Sequence, residues 1–84
     1  MGFVSDELLR TWGNNVRMFR LAKAARDGID RSRSMQQMAD DLEVSKATLS
    51  RWETGKCCPT DSHKIAIATY LDVDVRSLFP LVRS

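Results

Sequence analysis

Apolar residues fall three and four apart along nearly the whole chain, and no segment alternates strictly between apolar and polar positions. That spacing follows the turn of an α-helix and not the two-residue repeat of a strand. Few β-branched runs occur, and glycine and proline punctuate the chain sparsely. The sequence therefore predicts an all-α fold, with five short helices around one core. The 84 residues, 43% hydrophobic and 29% charged, suit one small globular domain over 1–84 and leave no room for a two-domain enzyme with a cleft.

Capping residues divide the helical pattern. Ser5 is a cap for a first helix in which Leu8, Leu9, Trp12, Val16, Phe19 and Ala22 or Lys23 step by three and four. Gly13 interrupts that stripe, so the helix starts either at Ser5 or after Gly13, capped by Asn14 or Asn15. In the second case residues 1–12 are an extension. Gly28 is a natural stop, and residues 26–33 read as a charged loop. Ser34-Met35-Gln36-Gln37 has the form of a capping box, followed by the stripe Met35, Met38, Ala39, Leu42. Ser45 caps a further helix with Leu49 and Trp52 on one face and Gly55 at its end. Thr60 or Asp61 opens a fourth helix with Ile65, Ala68 and Leu71 inward. Val73 bridges a tight turn, Asp74 caps a last helix through Leu78 and Phe79, and Pro80 begins a tail over 80–84.

Several function classes find no support. The first residues lack the basic start and apolar run of a signal peptide, and no stretch approaches the ~20 apolar residues of a membrane helix. A soluble, cytoplasmic protein is expected. Cys57 and Cys58 are adjacent, a geometry too strained for an ordinary disulfide. With the single His63 they make an incomplete zinc set, so two reduced thiols and no metal are expected. No nucleophile–histidine–acid set, paired carboxylates or phosphate-binding glycine loop is visible, and neither an enzyme nor a cofactor is expected. The net charge of +2 is too small to diagnose a nucleic-acid partner.

The informative segment is 34–54. Two short capped helices joined by about four residues have the spacing of a helix-turn-helix, whose second helix enters the major groove of DNA. Lys46, Ala47, Ser50 and Arg51 share the face opposite Leu49 and Trp52. Lys46 and Arg51 can donate to guanine O6 and N7, Ala47 can meet a thymine methyl, and Ser50 tolerates any base. Ser45 and Thr48, at the helix N-terminus, are candidates for phosphate. Taken without the motif, these side chains would be an ordinary solvated face.

These segments resemble the phage-repressor and Cro-like helix-turn-helix regulators. The resemblance runs from about Val16 to Phe79, and Val44 to Lys56 carries it most specifically. It implies base-reading roles for Lys46, Ala47 and Arg51, and phosphate contacts by Thr54 and Lys56. It also implies a buried ion pair of Arg20 with Glu53, and a phosphate-facing Arg17. The family often has Gln first in its second helix; this chain has Met35, which leaves Ser34 or Gln36 to touch phosphate there. The family usually has Gly in the tight turn, where this chain has Glu43, and its loop before the second helix is about eight residues shorter.

The expected function is thus a sequence-specific regulator of double-stranded DNA, a repressor acting as a homodimer on a pseudo-palindromic operator, with no small-molecule ligand. The C-terminal set Val75, Phe79, Leu81 and Val82 is favoured as the dimer surface over the N-terminal set Phe3, Val4, Leu8 and Leu9. A protein-interaction module, such as an antitoxin or co-regulator on the same scaffold, is the alternative.

Overall fold

The structure is a computed structural model that describes residues 5–80. Those residues form five helices and, among them, no strand: α1 (Asp6–Asp27), α2 (Arg31–Asp41), α3 (Lys46–Glu53), α4 (Asp61–Leu71) and α5 (Val75–Leu78). Helix α1 runs unbroken through Gly13 for 22 residues. Ser5 caps it by accepting from the Leu8 amide, and Asp6 and Glu7 complement the positive end of the helix. Ser45, Thr60 and Asp74 cap α3, α4 and α5 in the same way.

Four helices end with one device. The residue after the last turn takes a left-handed conformation, and the next amide reaches back to the carbonyl five residues earlier. Ile29 bonds Ala24, Val44 bonds Ala39, Lys56 bonds Arg51 and Val73 bonds Ala68, at 2.8–3.1 Å. Glycine holds the left-handed place at 28 and 55, while Glu43 (φ 59°) and Asp72 (φ 58°) hold it in the other two. Each acidic residue accepts strain of about 1 kcal/mol that glycine would not have. The tight turn between α2 and α3 therefore forms around Glu43 without a glycine.

The core joins Trp12 and Val16 of α1, Met38 and Ala39 of α2, Leu49 and Trp52 of α3, Ile67, Ala68 and Leu71 of α4, and Leu78 and Phe79. Helix α1 is the spine, packed on each of the other four. It crosses α3 closely at Gly13, where an added Cβ would lie 2.6 Å from the Glu53 carbonyl oxygen.

Three expectations are corrected. Helix α2 begins at Arg31 with Asp30 as its cap residue, so Ser34 is not a cap and the segment 26–33 is not a long loop. Only Gly28 to Asp30 separate the two helices. Ile65 is 62% exposed; the inward phase of α4 is Ile67, Ala68 and Leu71. Phe79 is buried, edge-on to Trp12 at 5.7 Å, and is not free to form a dimer surface. Phe3, Val4, Leu81 and Val82 lie outside the described residues; Leu8, Leu9 and Val75 pack half-buried against the core.

Candidate nucleic-acid interface

Helix α3 buries Leu49 and Trp52 and turns Lys46, Ala47, Ser50 and Arg51 to solvent. Ser45 fixes its start: the hydroxyl accepts from the Thr48 amide at 3.0 Å and lies 2.9 Å from the Thr48 hydroxyl. Thr48 is half-buried. The first amides of the helix have no carbonyl within the helix to bond, which suits them to an anion. At the other end the exposed Thr54 hydroxyl donates back to the Ser50 carbonyl at 2.9 Å, and Lys56 is exposed beyond Gly55.

The electrostatics of this face are one-sided. From Ser45 to Thr60 the basic residues are Lys46, Arg51 and Lys56, and the sole carboxylate is Glu53. Glu53 is 7% exposed and is consumed by Arg20, which leaves the surface of this segment without free negative charge. The acidic residues gather elsewhere, with Asp27, Asp30, Asp40, Asp41 and Glu43 along the end of α1 and the flank of α2. The small net charge conceals this separation. At the acidic end Tyr70 lies under the Lys23 ammonium, 5.3 Å from the ring centre. Burial pushes its hydroxyl above the usual tyrosine pKa, with Lys23 pulling the other way.

Arg20 holds α3 in place. Its Nε donates to Glu53 Oε2 at 2.7 Å and Nη2 to Oε1 at 3.0 Å, a two-pronged contact between α1 and α3. Nη1 donates to the Ser34 hydroxyl at 2.5 Å, and Ser34 donates in turn to the Arg31 carbonyl at 2.6 Å. Ser34 is 4% exposed, so its hydroxyl is spent inside the protein and cannot reach phosphate. The network joins α1, α2 and α3, and only the Arg20–Glu53 arm was anticipated. The Ser34 arm was hidden because the serine resembled a cap.

The remaining candidates are at the surface. Gln36 is exposed on α2 and donates to Asp40 at 2.7 Å, and Arg17 is exposed on α1. Arg10, which belongs to no motif in the sequence, lies against Gly55. Cys57 and Cys58 are free and exposed, and His63 stacks on Trp52 at 4.9 Å. Among the described residues no three His, Cys, Asp or Glu side chains converge as metal ligands, and no helix is long and apolar enough to cross a membrane.

A short helix closed by a tight turn, followed by a second helix that shows polar and basic residues above a buried stripe, defines a helix-turn-helix unit. The helix-turn-helix family model matches residues 23–78. The chain belongs to that family, of phage-repressor and Cro type, and its members are DNA-binding transcriptional regulators. Comparison with curated proteins and with solved structures gives no match.

Proposed function

We propose that the protein is a sequence-specific reader of double-stranded DNA that represses by occupying its operator, with α3 in the major groove. The observation that carries this reading is the carboxylate-free face of residues 45–60, with Lys46 and Arg51 projecting from a helix whose other side is locked into the core. Lys46, Ala47, Ser50 and Arg51 read base edges. Ser45, Thr48, Thr54 and Lys56 fix the register on phosphate, with Gln36 and Arg17 at the flanks. Occupancy alone excludes other proteins from the same DNA, so repression requires no chemistry and no ligand.

Fragments selected from random duplex DNA would define the operator. On it, Arg51→Ala is expected to cost about 1–3 kcal/mol and to relax preference at one position per half-site. Lys56→Ala is expected to weaken all sequences alike and to reduce the salt slope by about 1. If both substitutions leave binding unchanged, α3 is not the reading helix. A protein that binds no duplex even at low salt would favour the interaction-module reading instead.

The working unit is a homodimer. One recognition helix reads only a few base pairs, and one small module buries too little surface for tight, selective binding. Two copies on a two-fold axis place their helices about 34 Å apart on a pseudo-palindrome. With Phe79 committed to the core, Val75 is the one described residue of the C-terminal set left for that surface; Leu81 and Val82 lie outside the described residues. Titration of a palindromic duplex, followed by complex mass, is expected to show a second protein binding. A stable complex with one protein and no second step would overturn the dimer.

A further inference from the structure

Helix α1 starts far ahead of the family match, so that Asp6–Ala22 lies outside residues 23–78. Part of that stretch is core: Trp12 and Val16 are buried. Arg10 is placed differently. A Cβ built on Gly55 would lie 2.8 Å from Arg10 Cγ and 2.9 Å from its Cα and N. The backbone of α1 thus rests on Gly55, between Thr54 and Lys56. Any side chain at 55 would push Arg10 away, and φ of 79° there already favours glycine.

Arg17 lies two turns further along α1, and Gly13 between them touches the carbonyls of Trp52 and Glu53. Arg10 and Arg17 are both exposed. The ion pairs among the described residues are Arg20–Glu53 and Lys23–Asp27, so neither exposed guanidinium is held by a carboxylate. Seven residues of helix separate the two by about 10 Å, enough to meet different phosphates of one backbone.

We propose that Arg10 is a DNA phosphate ligand, seated on Gly55 beside Thr54 and Lys56, so that the leading turns of α1 carry the contact beyond the end of α3. The ligand chemistry is the phosphodiester oxygen pair, which the planar guanidinium grips with two parallel donors. This rests on the DNA reading above and adds to it an element outside the matched family segment.

The test is the salt dependence of binding to a selected operator duplex, for wild type, Arg10→Gln, Arg10→Lys and Lys23→Gln. Arg10→Gln keeps the stem on Gly55 and removes the charge; its slope of log K against log salt is expected to fall by about 0.9. Base preference is expected to stay the same. Arg10→Lys retains the charge and should retain the slope. Lys23→Gln, on the same helix but turned toward Asp27 and Tyr70, should match wild type. If wild type binds and Arg10→Gln keeps the full slope, this proposal falls and the DNA reading stands. If wild type binds no duplex, both fall.

Discussion

Arg20→Met and Glu53→Gln are each expected to lower stability by about 3–5 kcal/mol, measured by thermal or urea melts. Removing one partner leaves the other charged or polar group buried with its bonds unmade, which costs far more than the pair itself contributes. Arg20 is 5% exposed and Glu53 7%, so water cannot fill the gap without opening the crossing of α1 and α3. Against a total of roughly 4–12 kcal/mol for a chain of this size, either change brings the protein close to unfolding. The double variant Arg20→Met, Glu53→Leu should recover part of the loss, since a buried ion pair replaced by apolar groups is often neutral. Single losses no larger than the ~0.5 kcal/mol of an ordinary surface change would show that the pair is not buried in solution.

Gly13→Ala sets two effects of opposite sign against each other. Alanine in a helix interior is worth roughly 0.5–1 kcal/mol over glycine. The new methyl would meet the backbone oxygens of Trp52 and Glu53, which cannot rotate aside as a side chain could. Overpacking of a tight contact costs about 1–3 kcal/mol, and here it forces α3 away from α1, so a net loss is expected. Asn14→Ala, one residue on and exposed, is the matched control and should stay within ~0.5 kcal/mol. A rise in melting temperature for Gly13→Ala would mean that the two helices do not cross at this point.

What could be read from the residues alone was what local chemistry decides. Ser5, Ser45, Thr60 and Asp74 were legible as caps because a short polar side chain accepts from an amide two or three residues on. Gly28 and Gly55 were legible as stops because glycine takes the left-handed conformation without steric cost. Asp72, in the same conformation, passed unnoticed because an aspartate gives no sign of a left-handed turn. The start of α2 was misplaced by a competing local signal. Ser34 and Gln37 imitate a capping box, and Arg31 to Arg33 offer no apolar residue to reveal helical phase. The serine is instead drawn inward by Arg20, fourteen residues earlier in the chain.

The fourth helix shows a different limit. Ile65-Ala66-Ile67-Ala68 is apolar in either phase, so the residues allow Ile65 or Ile67 to face the core, and only packing chooses Ile67. Phe79 was assigned to a surface because Trp12, its partner, lies 67 residues away in sequence. For the candidate site, the outward face of α3 was legible from Leu49 and Trp52 alone. The place of Arg10 was not, because its contact with Gly55 is made across the fold, 45 residues away in sequence.

The first helix ends up holding the last residues described. Trp12 Nε1 donates to the Pro80 carbonyl at 2.9 Å and Asn15 Nδ2 to the Leu78 carbonyl at 3.0 Å. For a nascent chain this sets an order of events. Trp12 leaves the ribosome 68 residues ahead of Pro80, and its indole stays without its native partner until residue 80 has been made. Contacts that span nearly the whole chain are the slow ones to close, because the loop must be ordered before they form. Until then the long leading helix waits with an uncovered aromatic face, the state in which chains stick to one another or are captured by chaperones. The seating of α1 is therefore completed late, when the segment from Leu78 to Pro80 docks against Trp12 and Asn15.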